Sequence, residues 1–199
     1  NLVIYRHTES ILMSNISPLF TTPILHKPLD LNLAAIKHHC QGLRIHGKGR
    51  QVSNIGGWQS EDLVGEHPEL NDLFLEIELA GNEFTNYINN DWCKLDNVWV
   101  NFNGYRDYNR AHVHSKAYVS GVYYVQTPEN CGNLCFEHPS PLHNTEWDHV
   151  PNVMGYIPQE NNLYLFPNWL SHYVLPNLNE KEERISISFN LKLDKSPEL

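Results

Sequence analysis

The sequence predicts an α+β fold with a mainly β core: two layers of antiparallel strands, a jelly roll or related barrel, with helices from the first half packed on one sheet. Three observations carry that prediction. The clearest helical period, Pro68 to Trp92, precedes the strand-rich half. From Val98 onward, short runs of strand formers recur between turn residues. The last of these runs, Arg184 to Leu193, alternates polar and apolar residues without a break.

Taken in order, Asn1 to Leu12 precede Met13, which looks like a natural start. Those residues read as a cloning remnant or a disordered arm ahead of one domain over 13–199. Ser17 to Ile24 reads as an extended leading strand, and Asp30 is placed to cap a helix through Leu33 and Ile36. Ser53-Asn54-Ile55-Gly56-Gly57-Trp58-Gln59-Ser60 is a specific loop, either a turn with a packed Trp or a pocket wall. In the long helix, Leu70, Leu73, Phe74, Ile77, Phe84, Tyr87 and Ile88 form a stripe that belongs on a sheet, with Gly81 a weak point in its middle. Val98 to Asn103 alternates as a strand, and Gly104 to Arg110 reads as a polar loop. Tyr118 to Val125 and Leu134 to Glu137 are strands, the second entered through the turn Asn130 to Asn133. The Pro/His/Asn-rich stretch His138 to Asn161 has the length of a lid or binding loop. Asn162 to Phe166 is a further strand, and Pro167-Asn168 turns the chain toward His172.

Composition narrows the function. The chain has 199 residues, 41% of them hydrophobic, enough for one domain with a sizeable core. Its formal net charge of −9 argues against a nucleic-acid or anionic-membrane partner. No apolar run of about 18 residues is present to span a membrane. Cys40, Cys93, Cys131 and Cys135 lack the paired spacing of a zinc cluster and read as free thiols of a cytoplasmic protein. Oligomeric state is not legible.

The chemistry concentrates in two stretches, Asn109-Arg110-Ala111-His112-Val113-His114-Ser115 and Trp169-Leu170-Ser171-His172. Residues two apart in a strand share a face, so His112 and His114 project side by side. With one distant histidine they can close a three-point imidazole face on iron, copper, nickel or zinc. In the terminal strand, Arg184, Ser186, Ser188, Asn190 and Lys192 share the face opposite Ile185, Ile187, Phe189, Leu191 and Leu193. An arginine facing into a barrel suits a carboxylate, which guanidinium holds through parallel hydrogen bonds, and Ser186 can add a hydroxyl.

On these segments the chain resembles the iron(II)- and 2-oxoglutarate-dependent dioxygenases. The supporting residues are Ser53-Asn54 with Gly57-Trp58-Gln59-Ser60, His112-Val113-His114, Ser120 to Val125, Phe166 to His172 and Arg184 to Asn190. It looks closest to a branch found in marine bacteria and phages. The resemblance implies a double-stranded β-helix with Fe(II), and 2-oxoglutarate and O₂ as cosubstrates. It implies His112 and His172 as metal ligands, with Arg184, helped by Ser186, gripping the far carboxylate of 2-oxoglutarate. Tyr123 or Tyr124 would add a hydroxyl there, the choice depending on register. His114 stands where the superfamily usually has a carboxylate, so it either ligates the metal or leaves that position to water. The implied reaction is a hydroxylation of a small-molecule or peptidyl substrate, with Trp58, Gln59 and the 138–161 loop as places for selectivity. The rival expectations are a cupin-like three-histidine iron dioxygenase without 2-oxoglutarate, and a non-enzymatic barrel binding a metal or ligand.

Overall fold

The computed structural model describes residues 21–63, 65–89, 91–140 and 151–194. Its first elements are strand β1 (Leu25–Pro28), helix α1 (Leu33–His46) and the two-residue strands β2 (Asn54–Ile55) and β3 (Trp58–Gln59). A 3-10 turn (Pro68–Leu70) leads into helix α2 (Asn71–Asn89). Then follow β4 (Cys93–Asn103), β5 (Tyr108–His112), β6 (Val119–Gln126), β7 (Leu134–Glu137), β8 (Val153–Tyr156), β9 (Asn162–Pro167), β10 (His172–Val174) and β11 (Arg184–Leu193). They form a six-stranded sheet, β1-β9-β6-β11-β4-β3, facing a five-stranded one, β2-β5-β10-β7-β8. Every pairing between the described strands is antiparallel. This is the two-sheet core of a double-stranded β-helix, with both helices on the outer face of the larger sheet.

Side-chain alternation sorts the larger sheet into two faces. Val98, Val100, Phe102, Ile185, Ile187 and Phe189 join Ile36, Leu73, Ile77 and Phe84 of the helices in one buried core. Val122, Tyr124, Tyr164 and Phe166 turn the other way and meet Leu134 and Phe136 of the smaller sheet. What remains of the inner face is polar: Asn101 Nδ2 donates to Ser188 Oγ at 3.0 Å, and Asn190 Nδ2 donates to Asn97 Oδ1 at 3.0 Å.

Several boundaries depart from the sequence reading for local reasons. Helix α1 is capped by Asn32, whose Oδ1 accepts from Ala35 N at 3.1 Å, and not by Asp30. The long helical period stops at Asn89 instead of Trp92. There Thr85 Oγ1 donates to Asp91 O and Asn82 Oδ1 accepts from Cys93 N, which turns the chain into β4. The supposed loop Gly104 to Arg110 contains the start of β5, and the 138–161 stretch contains β8. The leading strand lies at Leu25–Pro28; residues 17–20, the 1–12 segment and the 141–150 part of the proposed lid lie outside the described residues. All four cysteines are buried free thiols. Among the described residues, no helix is long and apolar enough to cross a membrane.

Gly81 is a close-approach residue. A Cβ there would lie 2.4 Å from Leu191 Cδ1 and 2.9 Å from Cys93 Sγ. The helix trades propensity at this position for contact with the sheet. Gly81→Ala is therefore expected to destabilise by about 1–3 kcal/mol through overpacking, although alanine favours helix. Urea unfolding checks this; equal or greater stability would show that α2 does not need the close approach.

Candidate active site

The smaller sheet assembles three histidines from distant positions. Strands β5 and β10 pair antiparallel with His172 opposite His112, which puts both rings on one face. His114 lies beyond the end of β5, where two hydrogen bonds hold it. His114 N donates to Asn168 O at 2.9 Å, and Asn168 Nδ2 donates to His114 O at 3.0 Å. The turn before β10 thus fixes the segment after β5. One potential ligand atom from each of the three histidines lies within 4.8 Å of the others.

Second bonds orient two of the rings. His112 Nδ1 lies 2.7 Å from Arg110 O, and His172 Nδ1 lies 2.9 Å from Leu170 O. A carbonyl accepts only, so each ring carries its proton on Nδ1 and presents an Nε2 lone pair. His114 Nε2 lies 3.2 Å from His172 Nε2. Burial, reinforced by the neighbouring imidazoles, lowers the pKa of His114 to about 4 and of His172 to about 3, and burial also lowers that of His112. Three neutral imidazoles gathered at one cavity are a donor set that would suit Fe(II).

The cavity next to the triad is walled by Trp99, Asn101, Tyr124, Arg184, Ser186 and Ser188. Arg184 is only 1% exposed. Its Nη1 donates to Cys131 O, to Gly132 O at 3.4 Å and to Leu175 O at 3.5 Å, while its buried Nη2 has no partner. An unpaired buried donor on a cation is costly, and the residue that carries it lines a cavity with the hydroxyls of Tyr124 and Ser186, a set suited to a carboxylate. Burial lowers the guanidinium pKa, opposed by nearby Tyr124, Cys131 and Asp107. Burial raises the Tyr124 phenol, which keeps it a neutral O–H donor.

The structure therefore gathers His112, His114, His172, Tyr124, Arg184 and Ser186 around one cavity. Ser186 stands opposite Tyr124 on β6 and Asn101 on β4. Tyr123 does not join them: it stands opposite Ile187, packs in the helix-side core and donates to Asn161 Oδ1. Trp58 also packs on the helix side, edge-on to Phe102 at 5.7 Å, and so does not wall the histidine cavity. Gln59 lies opposite Asn101 on the inner side. Trp99, Asn101 and Ser188 were absent from the sequence-derived site. The asparagines alternating with Val98, Val100 and Phe102 were the available signal.

Residues 97–190 match a family model described as "Putative 2OG-Fe(II) oxygenase". That segment carries every residue of the cavity except Ser53. No curated protein sequence matches the chain. Among solved structures, a Pseudomonas putida prolyl-4-hydroxylase is 16% identical at a TM-score of 0.62, covering 86% of this chain and 93% of its own. A Trichoplax adhaerens prolyl hydroxylase, in complex with a hypoxia inducible factor peptide fragment, is 15% identical at 0.60, covering 85% and 82%. HygX of Streptomyces hygroscopicus, with nickel and 2-oxoglutarate bound, is 15% identical at 0.61, covering 86% and 83%. At these identities the likeness is one of fold. Fold and site together define a double-stranded β-helix oxygenase built on a non-haem metal. Residues 97–190 carry the signature of the 2OG-Fe(II) oxygenases, enzymes that use Fe(II), 2-oxoglutarate and O₂.

The depressed histidine pKa values make a prediction for the metal-free protein. Unfolded histidines protonate near pH 6.5, whereas folded His114 and His172 stay neutral down to about 4 and about 3. Between those limits the unfolded state binds more protons, so stability must fall as pH drops below about 6.5. Thermal unfolding in chelator from pH 7.5 to 4.5 should show this decline, and His172→Asn should flatten it. An identical slope in the variant would show that His172 protonates as freely folded as unfolded.

Proposed function

We propose that His112, His172 and His114 hold the Fe(II), and that Arg184 Nη2, the Tyr124 hydroxyl and Ser186 Oγ bind the far carboxylate of 2-oxoglutarate. The observation that carries this reading is the unpartnered Nη2 of a fully buried arginine beside three converging imidazoles. The chemistry such a metal supplies with these cosubstrates is decarboxylation to succinate and CO₂, with oxygen inserted into a substrate C–H bond. The chain's own part is orientation. Carbonyls of Arg110 and Leu170 fix two imidazoles before any ligand arrives, so little ordering remains to be done on binding. Arg184 orients the cosubstrate from the opposite end of the cavity. The inner walls exclude water through Val122, Leu134 and Phe166.

The reaction is a hydroxylation of a peptidyl or small-molecule substrate. The formal charge of −9 supports a partner other than nucleic acid, and four buried reduced thiols support a cytoplasmic location. A cupin-like reading without 2-oxoglutarate would leave Arg184 Nη2 with nothing to bind.

Anaerobic Fe(II) titration tests the ligand set. His112→Ala and His172→Ala should each lose stoichiometric iron with the fold retained; wild-type iron content in either would refute its role. His114→Ala should lose much of the affinity and His114→Asp should retain it, since Asp restores a two-histidine, one-carboxylate face. Tight binding by His114→Ala would leave that position to water.

Arg184 is tested by 2-oxoglutarate affinity. Arg184→Ala should lose about 2–3 kcal/mol, roughly 30- to 150-fold. Arg184→Lys should recover little, because an ammonium cannot fill both the carbonyl side and the cavity side of the site. Unchanged affinity in Arg184→Ala would favour the cupin-like chemistry.

A further inference from the structure

The carbonyls that hold Arg184 come from two segments that meet at one glycine. The turn between β6 and β7 is closed by Cys131 N donating to Pro128 O at 3.2 Å, with Asn130 at φ +60° and Gly132 at φ +88°. It is stitched to the segment after β10. Leu175 N donates to Asn133 O at 3.0 Å, Leu178 N to Asn130 O at 2.9 Å and Asn179 Nδ2 to Glu129 O at 3.1 Å. At the meeting point, a Cβ on Gly132 would lie 2.0 Å from Leu175 O and 2.8 Å from Pro176 O. Glycine is required twice over there, for its positive φ and for the close approach. The carbonyls of Cys131, Gly132 and Leu175 all accept from the same nitrogen, Arg184 Nη1.

We propose that this turn is a positioning collar: Gly132 lets it close on Leu175, its carbonyls fix Arg184 through Nη1, and the fixed Nη2 sets which 2-oxo diacid the cavity accepts. The inference rests on the reading that Arg184 takes the far carboxylate. A guanidinium whose Nη1 is held by Cys131 O, with Gly132 O and Leu175 O closing round it at 3.4 and 3.5 Å, has little room to retreat for a longer diacid or to advance toward a shorter one. With the histidine face fixed at the other end, the cavity measures chain length between two rigid stops. Neither stop moves alone, because β10 joins them: His172 begins that strand, and Leu175 follows its last residue.

The test is anaerobic titration of the Fe(II)-loaded full chain with 2-oxoglutarate and with 2-oxoadipate, which is one methylene longer. Wild type should prefer 2-oxoglutarate. Gly132→Ala should weaken 2-oxoglutarate binding by about tenfold or more, since small misplacements of a binding group have effects of that order. It should also shrink the preference over 2-oxoadipate, while Fe(II) affinity stays at the wild-type value. General destabilisation would weaken both diacids alike and leave the preference intact, which would overturn the proposal. If Gly132→Ala does not fold, Asn179→Asp decides. It removes the donation to Glu129 O yet keeps the Oδ1 acceptor used by Lys181 N and Glu182 N, and should shift the preference the same way. Arg184→Ala separates the two levels of the argument. If it loses 2-oxoglutarate affinity while the folded collar variant keeps both affinity and preference, the collar is wrong and the arginine's role stands. If Arg184→Ala binds 2-oxoglutarate as wild type does, the role of the arginine fails and the collar with it.

Discussion

Burying a guanidinium costs several kcal/mol unless its N–H groups find acceptors, and Arg184 is satisfied on one terminal nitrogen only. Three carbonyls offset part of that cost at Nη1, while the buried Nη2 stays unpaired. A protein selected for stability alone would fill such a position with an apolar side chain of similar volume. Retaining the charge makes sense when a ligand supplies the missing acceptor. The turn at Cys131 and Gly132, the bend at Leu175, and the strands that carry them are arranged to keep this one cation in place.

The division of labour between the two faces of β11 was legible in the sequence, because strand alternation is strict and the run is long. Its bounds are those the alternation predicted, Arg184 to Leu193. The same parity on β4 puts Asn97, Trp99, Asn101 and Asn103 opposite Asn190, Ser188, Ser186 and Arg184. One polar lane therefore runs the length of the cavity between two hydrophobic cores. The helix α2 was legible for the same reason, a period sustained over many residues. Its end was not, because Thr85 and Asn82 stop it with side-chain hydrogen bonds to residues beyond the helix.

Parity within one strand cannot say how two strands register, and the tyrosine choice turned on that. From Ser186 to Leu191 the β11–β6 pairing sets Tyr124 opposite Ser186 and Tyr123 opposite Ile187. A slip of one residue would have exchanged the two, sending Tyr123 into the cavity. Trp58 was illegible for a related reason. Its strand is two residues long, and only the pairing with Phe102 decides which face it takes. The collar was beyond reach of the sequence altogether. Asn130-Cys131-Gly132-Asn133 announces a turn, but the two carbonyls it directs at Arg184 are joined by a third, Leu175 O, from a segment more than 40 residues away.

The histidine cluster shows what local sequence could and could not give. His-x-His brought two rings within 5.0 Å of each other, although His114 lies beyond the strand and is held by Asn168, and strand pairing delivered the third. The protons, however, follow from backbone acceptors. Two carbonyls hold Nδ1–H of His112 and His172. Among the described residues, none does so for His114. The 3.2 Å contact between Nε2 of His114 and Nε2 of His172 needs one proton between them. His172 carries its proton on Nδ1, so that proton belongs to His114. A cation entering the cluster must displace it, by moving it to Nδ1 or releasing it to solvent. Two of the proposed ligands are thus prepared by the fold, and the energetic cost of seating a metal would fall on the third. That third position is the one where the family ordinarily has a carboxylate, which needs no such proton shift. The compensation is electrostatic. On the proposed ligand set, three neutral donors would leave the full double charge on the metal, available to a doubly negative cosubstrate that the buried Arg184 cation also attracts.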